Sequence, residues 1–550
     1  MILRRSLAAV LALLVAGGST AAHAESQQMV AAAHPLAVQA GLEVLSRGGT
    51  AVDAAVAVQM MLGVAEPQAS GIGGGGFLLY YDGTSHAITV YDGREAAPAG
   101  ATPTMFLGAD GQPLPFREAV ASGMSVGVPG AVALLELAHK EHGKLAWNSL
   151  FATSIAAARN GYPVSSRLAA WLDLVKPFRE EPAARATYYN ADGSPKKQGD
   201  TVVNPALADT MQLLAEKGNA VLREGTIAEQ MVARVHAHVR PGTLSLADLA
   251  DYKVIKRDGL CGPYRIWTVC GMGPPSSGGL AILQALAILE PFKLSDDRPN
   301  DLRSLHLIAE ASRLIFADRA HYVDDPAFTP VPVEQLLAPA YITQRRALIS
   351  LDKSMGVPGV VPPGYPEHGT SHMTIVDRQG NAVSFTTTIE SPFGSLMMVG
   401  GFILNNELTD FSAVAERDGQ PVANRVEPGK RPRSSMSPTF VLNKDGGVVL
   451  AVGSAGGQRI IGDTLQALIG MLDWNLSAQA ALDLPRILNM NGPTELENKG
   501  ELPAQAERLR ALGHQVQVRA HEGGLTAIRR EGDGWGGGAD PRRDGVARGD

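Results

Sequence analysis

The spacing of apolar residues predicts helices in the first part of the chain. Residues 36–64 hold two alanine-rich stretches with helical periodicity, LAVQAGLEVLSRGG and AVDAAVAVQMMLGV, which are separated at Gly48 and Gly49. Asp53 falls in the first turn of the second of these helices. Residues 130–340 are again mostly helical in pattern, for instance in the segment LRSLHLIAEASRLIFADRAHYV.

Strand patterns flank this helical part on both sides. From Phe77 the segments FLLYYDG and AITVYDG predict two strands joined through a Gly-Thr-Ser turn. Residues 353–369 are rich in proline and glycine without apolar periodicity, which predicts an exposed loop. After the loop, HMTIVD, AVSFTTTI, GGFILNN, PTFVLN and VVLAVGS predict strands, and DTLQALIGMLDW and SAQAALDL predict helices. This order indicates stacked layers of sheet and helix.

The first 24 residues have the pattern of an export signal. Arg4 and Arg5 precede an apolar run, Leu7 to Ala16, and Ala22-His23-Ala24 is a small-x-small cleavage site. The run is short for a bilayer span, so an uncleaved anchor is the alternative. Beyond residue 24 no run approaches about 20 apolar residues, and we expect a soluble periplasmic or secreted protein.

The charge and the cysteine content of the chain indicate which class of partner and which cellular compartment to expect. The chain has 48 Lys+Arg against 55 Asp+Glu, a net charge of −7, without a basic stripe, which disfavours nucleic acid as a partner. Cys261 and Cys270 are the only cysteines, and the segment between them has the length of a hairpin. An oxidising compartment favours a disulfide between them, and two free thiols are the alternative.

Two glycine motifs match known sequence signatures but lack the flanking helix or strand that those signatures require. Gly71, Gly73 and Gly76 fit G-x-G-x-x-G, but they follow a predicted helix and precede a strand, the reverse of a dinucleotide site. Residues 123–127 fit G-x-S-x-G, but a nucleophile elbow needs a hydrophobic strand before it, and PFREAVAS is not one. Neither motif is therefore assigned a function.

The histidines do not indicate a metal site. His368 and His372 lie on either side of residues 369–371, and His321 lies near Asp324 and Asp325. Neither group has the ligand spacing of zinc. These side chains are interpreted as surface or hydrogen-bonded histidines, and no metal or organic cofactor is predicted.

Gly369 and Thr370, at the end of the predicted loop, have the chemistry needed for self-cleavage, although Gly-Thr is a common dipeptide and taken alone indicates only an ordinary end of a loop. A threonine hydroxyl needs a base to act as a nucleophile, and the α-amine released by cleavage before Thr370 has a suitable pKa of about 7.7–8.0. Gly369 leaves its carbonyl unshielded, and a loop can adopt the strained geometry of attack. The predicted strand HMTIVD would then hold the new terminus.

Specific motifs are spread along the whole mature chain. In order they are HPLAVQAGLEVLSRGGTAVDAA, SGIGGGGFLLYYDG, PPSSGG, TSHMTIVD, LNNELTDFS, RPRSSMSP, GSAGGQRI and GGGADPRRDG. These motifs, in this order, resemble those of the gamma-glutamyltranspeptidase family. The resemblance implies an α+β, four-layer αββα sandwich of the N-terminal-nucleophile hydrolase type, formed by both fragments of a self-cleaved precursor.

The resemblance implies roles for the residues that match the family's catalytic positions. Thr370 matches the nucleophile and new N-terminus. Thr388 matches the threonine that hydrogen-bonds the nucleophile and assists processing. Gly456 and Gly457 match the pair whose N–H groups hold the oxyanion, a task that suits residues without a Cβ.

The resemblance also implies how a γ-glutamyl group is bound. Arg94 matches the arginine that binds the α-carboxylate, which a guanidinium contacts in bidentate fashion. Ser434 and Ser435 match the serines that share this carboxylate. Glu407 and Asp410 match the residues that bind the α-ammonium.

The chain departs from the best-known members in two places. Glu390 stands where those members have asparagine, and a third acid would strengthen attraction to the ammonium while the acids stay ionised. Residues 413–430 occupy the place of a lid in some members but hold no tyrosine or tryptophan, so a similar lid is not expected.

The resemblance implies an acyl transferase without a cofactor. We expect a large subunit, 25–369, and a small subunit, 370–550, that form a heterodimer and pass γ-glutamyl groups from donors such as glutathione to water, amino acids or dipeptides. Two alternatives stay open: an acylase of the same fold that removes a glutaryl side chain from a β-lactam, and a catalytically silent, uncleaved exported homologue.

Overall fold

The computed structural model describes residues 26–356 and 369–550. The predicted signal peptide, residues 1–24, and His368 with most of the predicted loop lie outside these ranges. Within the described ranges, no helix is both long and apolar enough to cross a membrane.

The described helices alternate with strands throughout the chain. The helices are α1 (Pro35–Ser46), α2 (Ala51–Ala65), α3 (Phe116–Val120), α4 (Ala131–His142), α5 (Ala152–Asn160), α6 (Ser166–Leu174), α7 (Pro182–Tyr188), α8 (Pro205–Lys217), α9 (Ala220–Arg223), α10 (Thr226–His236), α11 (Leu246–Asp251), α12 (Gly278–Leu289), α13 (Leu302–Tyr322), α14 (Val333–Leu337), α15 (Pro339–Arg346), α16 (Arg459–Leu472), α17 (Ala478–Asp483) and α18 (Ala506–Ala511). The strands are β1 (Met29–Ala32), β2 (Gly75–Tyr81), β3 (Ile88–Gly93), β4 (Tyr162–Pro163), β5 (Thr201–Val202), β6 (Ile255–Asp258), β7 (Leu260–Tyr264), β8 (Trp267–Gly271), β9 (Thr370–Val376), β10 (Ala382–Thr388), β11 (Met398–Val399), β12 (Phe402–Ile403), β13 (Glu416–Arg417), β14 (Gln420–Pro421), β15 (Thr439–Leu442), β16 (Val448–Gly453), β17 (Ile487–Asn489), β18 (Thr494–Glu497), β19 (Val516–Arg519), β20 (Thr526–Glu531), β21 (Gly534–Ala539) and β22 (Val546–Gly549).

Two large sheets form the centre of the molecule. The first has seven strands in the order β22-β1-β9-β10-β2-β3-β6, and the second has six in the order β21-β20-β16-β15-β8-β7. Both sheets combine strands from before and after residues 357–368, so the chain on either side of Gly369 is interleaved. The β9–β10 hairpin lies in the middle of the first sheet, between β1 and β2.

Alternating side chains bury both faces of the first sheet. On β2, Phe77, Leu79 and Tyr81 belong to the core between the sheets, whereas Leu78 and Tyr80 belong to the core that holds α1, α2 and α4. The second sheet is packed in the same way, with Phe440 towards the first sheet and Val441 towards α12, α13 and α16. Helices therefore cover the outer faces of two packed sheets, and the expected four-layer αββα sandwich is confirmed.

The helix predicted at residues 51–64 is confirmed as α2. Its N-terminus has a reciprocal cap in which the Thr50 side chain accepts from the backbone of Asp53, and the Asp53 carboxylate accepts from the backbone N–H of Thr50. Nearly all of its residues are buried, as expected for a helix that is apolar on all sides.

The structure agrees with the interpretation of the two glycine motifs. Gly71 and Gly73 lie between α2 and β2, the helix-then-strand order. Ser125 lies in a short 3₁₀ turn after α3, where its buried hydroxyl donates to the carbonyl oxygens of Val120 and Ser122. Both segments are structural connections.

The disulfide that the sequence favoured is present: Cys261 and Cys270 are opposite residues of the β7–β8 hairpin and are joined. Other elements differ from the prediction. The segment GGFILNN forms only the short strand β12, and 413–430 holds a two-stranded hairpin, β13–β14. The strands β1 and β17 to β22 were not predicted, because their short, glycine-rich or mixed segments lack clear alternation.

Candidate active site

Thr370 begins β9 and lies opposite Thr388, the last residue of β10. Opposite residues of antiparallel strands project from the same face of the sheet. The two hydroxyl oxygens are therefore close, at 3.2 Å. The Thr388 hydroxyl also donates to the carbonyl oxygen of Gly369 at 3.2 Å and accepts from the Glu390 backbone N–H at 2.8 Å. Thr388 thus contacts the two groups that would react with each other in self-cleavage, the Thr370 hydroxyl and the Gly369 carbonyl.

Gly369 packs directly against the turn that follows β10. A Cβ at this position would overlap the carbonyl oxygen of Glu390 and lie 2.6 Å from the carbonyl carbon of Ser391. Glu390 itself has a φ of 75°, in the left-handed region that non-glycine residues seldom adopt. The residue before Thr370 therefore has to be glycine for its carbonyl to stay beside Thr388.

Gly369→Ala is expected to slow cleavage between residues 369 and 370 by at least about tenfold. The added methyl group would push the carbonyl of residue 369 away from Thr370 Oγ, and an intramolecular attack is sensitive to such a displacement. The rate is followed as conversion of one band into two on denaturing gels. Gly492→Ala is the control, because no atom lies within 4 Å of a Cβ built there and its φ is outside the left-handed region. Equal cleavage rates in both variants would contradict the packing argument.

The C-terminal segment contributes an arginine that sequence reasoning assigned no role. Arg543 is buried, and its Nη1 donates to the carbonyl oxygen of Thr370 at 2.6 Å. On the next residue of β9, the Ser371 hydroxyl donates to Glu66 at 3.1 Å. These contacts fix the backbone on both sides of the Thr370 peptide. The motif DPRR was visible in the sequence, but nothing local indicated which residue it contacts.

Gly456 and Gly457 connect β16 to α16. Their φ angles are 127° and 60°, which side chains disfavour. Gly457 lines the same cavity as Thr370, and Gly456 is the residue directly before Gly457. The cavity has a volume of about 230 Å³. Its lining includes Arg94, Phe116, Arg319, Thr370, Thr388, Glu390, Glu407, Thr409, Asp410, Phe411, Arg433, Ser434, Ser435, Met436, Gly457, Gln458 and Ile460.

Arg94 occupies the charged end of this cavity. It follows β3 directly, and its guanidinium is only 1% exposed. It forms ion pairs with Glu407 and Asp410, which lie on one short 3₁₀ turn. Its Nε donates to the carbonyl oxygen of Pro432 at 3.1 Å. Burial alone would lower the pKa of Arg94, but the neighbouring carboxylates outweigh it and hold the pKa above the ordinary value.

Glu390, the departure noted in the sequence, faces the same cavity. Its carboxylate accepts from the Ser391 hydroxyl at 2.6 Å, from the Asn406 side-chain amide, and from the Thr409 hydroxyl at 3.4 Å. The structure therefore brings Glu390, Glu407 and Asp410 together around one cavity. Burial raises the pKa of Glu407 well above the ordinary value, although the charge of Arg94 opposes this shift.

Glu95 adds a fourth carboxylate that sequence reasoning did not single out. Its side chain is fully buried, and both oxygens lack a hydrogen-bond partner among the described residues. The nearest cation is Arg94, with Nη1 at 3.9 Å. Burial raises the pKa of Glu95 to about 7, against the opposing charge of Arg94.

Glu95→Gln is expected to gain stability relative to the wild type as the pH rises. The folded state holds the Glu95 proton more tightly than the unfolded state, so this stabilisation is complete below about pH 4.5 and lost by about pH 7. The wild type then loses up to about 1.4 kcal/mol per pH unit that the variant keeps. Melting temperatures between pH 4.5 and 8 test this, with the exposed Glu224→Gln as control. A difference between variant and wild type that does not change with pH would contradict it.

The two predicted serines also line the cavity, and one has an unexpected partner. Ser435 Oγ accepts from Arg319 Nη2 at 2.7 Å, and Arg319 Nε donates to the Ser277 hydroxyl at 2.8 Å. Ser434 Oγ accepts from the backbone N–H of Met436 at 3.1 Å. Arg319 lies in the last turn of α13, where the sequence alone suggests an ordinary surface charge.

One histidine–carboxylate cluster among the described residues has metal-like composition. His306, Glu310 and His514 are buried together. His306 Nε2 lies 2.7 Å from the carbonyl oxygen of Ser350, so it carries a proton and leaves Nδ1 to accept from His514 Nε2 at 2.7 Å. His514 Nδ1 then accepts from the Thr494 hydroxyl at 3.0 Å. Hydrogen bonds account for every ring nitrogen, and the cluster lies outside the cavity, so we assign it a structural role.

Comparisons with known proteins point to one family. Residues 37–549 match the family model described as Gamma-glutamyltranspeptidase. The glutathione hydrolase proenzyme of Bacillus subtilis (strain 168) is 38% identical over 584 residues, which cover 99% of this chain and 98% of the relative. The protein of the same name from Escherichia coli (strain K12) is 37% identical and covers 94% of this chain and 90% of the relative.

Solved structures share the fold. A cephalosporin acylase from Bacillus halodurans is 31% identical, with a TM-score of 0.84 over 95% of this chain and 96% of that chain. The Helicobacter pylori gamma-glutamyltranspeptidase is 32% identical, with a TM-score of 0.56 over 60% of this chain and 96% of that chain. Sequence, fold and relatives agree, and the chain belongs to the gamma-glutamyltranspeptidase family.

Proposed function

We propose that this chain cleaves itself before Thr370 and then acts as a γ-glutamyl transferase and glutathione hydrolase. One observation carries the proposal: Thr370 shares a single cavity with Arg94 and its paired carboxylates. The names of the relatives, glutathione hydrolase proenzyme, support both the activity and the processing.

Self-cleavage is proposed to begin with attack of Thr370 Oγ on the Gly369 carbonyl carbon. The C–N bond breaks, the hydroxyl proton passes to the nitrogen, and an ester links Gly369 to Thr370 Oγ. The α-amine of Thr370 is then free, and water hydrolyses the ester, which releases the Gly369 carboxylate and restores the Thr370 hydroxyl. The Thr388 hydroxyl, which contacts the Gly369 oxygen and Thr370 Oγ, assists by polarising the carbonyl.

The fragments 25–369 and 370–550 are expected to stay together as a heterodimer. In the first sheet, β9 and β10 lie between β1 and β2, and both pairings are antiparallel ladders of hydrogen bonds. Separation would expose these strands and the apolar cores on both sides of the sheet, which is strongly unfavourable.

In the mature enzyme, Thr370 Oγ is proposed to attack the γ-carbonyl carbon of the substrate while the α-amine accepts the hydroxyl proton. The backbone N–H groups of Gly456 and Gly457 stabilise the oxyanion, a donor pair in which each member is worth about 2.7–4 kcal/mol. The C–N bond then breaks, the leaving amine takes the proton, and a γ-glutamyl ester of Thr370 remains. Water, an amino acid or a dipeptide resolves it.

The charged end of the cavity suits a zwitterion. The substrate α-carboxylate is proposed to bind Arg94 with Ser434 and Ser435, and the α-ammonium to bind Glu407 and Asp410. Inserted between Arg94 and its partner acids, each of the two substrate charges contacts a group of opposite charge. A glutaryl group lacks the ammonium. Its carboxylate would take up Arg94, and Glu407 and Asp410 would be left without a cation.

The proposal predicts faster hydrolysis of γ-glutamyl anilide than of glutaryl anilide. Unpaired buried charge costs about 3–5 kcal/mol, so kcat/KM should differ by at least about 100-fold. The acylase alternative has support of its own, since the cephalosporin acylase structure covers 95% of this chain. Faster glutaryl release would establish that alternative instead.

Processing and export are tested on the purified protein. Two bands on a denaturing gel, with the smaller beginning at Thr370 by terminal sequencing, are expected. A single full-length band that persists on long incubation would favour a silent homologue. Detection of the protein in the periplasm or medium, without residues 1–24, would support the proposed signal peptide.

A further inference from the structure

A second cavity adjoins the catalytic one. Its volume is about 350 Å³, within the usual range for small-molecule sites. We call it the apolar pocket, because the described residues that line it are apolar apart from Arg117, Ser391 and Glu522. The apolar lining residues are Phe116, Val120, Ala121, Trp171, Leu174, Val175, Pro177, Pro392 and Leu396.

The apolar pocket begins where the catalytic cavity ends. Phe116 lines both cavities, and Ser391 directly follows Glu390, which lines the catalytic one. Glu522 lies on the other side, with its carbonyl oxygen 3.2 Å from a Cβ built on Gly456. Two residues that line the apolar pocket thus lie next to parts of the catalytic site: Ser391 next to Glu390, and Glu522 next to Gly456.

The orientation of the substrate decides which part reaches this pocket. The α-carbon of a γ-glutamyl group faces Arg94, and its γ-carbonyl faces Thr370. The amine on that carbonyl therefore lies beyond Thr370, away from Arg94. Arg543, which contacts the carbonyl oxygen of Thr370, lines a third cavity together with Trp171, Leu174 and Glu522, so these residues lie on that side.

We propose that the apolar pocket binds the amine portion of the donor, with preference for aromatic or bulky apolar amines. This inference rests on the proposed function. Trp171 supplies an aromatic surface for the amine substituent, and Leu174, which is 67% exposed, gains burial when the pocket is filled. Because aminolysis is the reverse of acylation, an apolar acceptor amine binds in the same place.

The test compares two donors, γ-glutamyl-1-naphthylamide and γ-glutamyl methylamide. In Leu174→Asp, we expect kcat/KM for the naphthylamide to fall by at least about tenfold, while the methylamide changes by less than about twofold. Leu351→Asp is the matched control, since Leu351 is also an exposed leucine, at 52%, but does not line the pocket. Trp171→Leu should reproduce the selective loss, with its melting temperature recorded because Trp171 is buried.

Equal changes for both donors, or no change for either, would overturn the inference while leaving the proposed function intact. If the wild type hydrolyses neither donor, the proposed function fails. A binding measurement then tests separately whether the apolar pocket holds an aromatic amine. Equilibrium dialysis of 1-naphthylamine against the whole protein should then show affinity at least about tenfold weaker in Leu174→Asp than in the wild type. Equal affinity in both proteins would overturn the pocket assignment.

Discussion

Thr370→Ala is expected to give a single uncut chain without measurable hydrolysis of γ-glutamyl amides. The same oxygen is the proposed nucleophile for both reactions, so its removal stops processing and leaves no α-amine to serve as base. The loss of kcat/KM should be at least about 10³-fold, as for other residues that act as the centre of a catalytic unit. Denaturing electrophoresis and release of 4-nitroaniline from its γ-glutamyl amide measure the two effects.

Thr374→Ala provides a matched control for this substitution. Thr374 is a buried threonine four residues further along β9, on the same face of the strand, and its hydroxyl donates to the Thr526 hydroxyl at 3.4 Å. This variant should be cleaved and active. Thr370→Ser, which keeps a hydroxyl, should also be cleaved. Two fragments from Thr370→Ala would show that the cleavage site is assigned wrongly.

Arg94→Met is expected to abolish useful binding of γ-glutamyl donors and to destabilise the protein. The substitution removes the cation that faces Glu95, Glu407 and Asp410, and breaking such a buried pair costs about 3–5 kcal/mol. It also removes the group proposed to bind the α-carboxylate, so kcat/KM should fall by at least about 10³-fold. Thermal melting and steady-state kinetics give the two values.

A double variant separates these two effects. Arg94→Met with Glu407→Gln removes one unpaired charge together with the cation and should recover part of the lost melting temperature without recovering activity. Recovery of activity along with stability would mean that Arg94 acts only by supporting the fold. Activity of the single variant close to that of the wild type would remove Arg94 from substrate binding.

The β9–β10 hairpin was largely predictable from local sequence. HMTIVD and AVSFTTTI are strands joined by a short polar turn, and pairing Val376 with Ala382 next to this turn places Thr370 opposite Thr388. A short turn sets the register of a hairpin, so the contact of two hydroxyls follows from counting residues. The requirement for glycine at 369 was less visible, because it depends on the turn at Glu390.

The residues that surround the hairpin could not be assigned in this way. Arg319, Arg543 and Glu95 lie in segments that are ordinary by composition. Their proximity to Ser435, Thr370 and Arg94 arises from contacts between residues that are far apart in sequence. The short C-terminal strands were missed for a related reason, since their pairing partners, rather than their own pattern, determine that they are strands.

By itself, the sequence indicated stacked layers of sheet and helix from periodicity and the order of elements. Its motifs implied the family, the αββα arrangement and Thr370 as the proposed nucleophile, because periodicity and motifs are local properties of the chain. Only the tertiary structure decided that Glu95 joins Glu407 and Asp410 around one buried arginine, and that an apolar pocket adjoins the cavity that holds Thr370. The physical reason is that burial and charge pairing depend on which distant segments meet, and that is decided by packing of the two sheets and their helices.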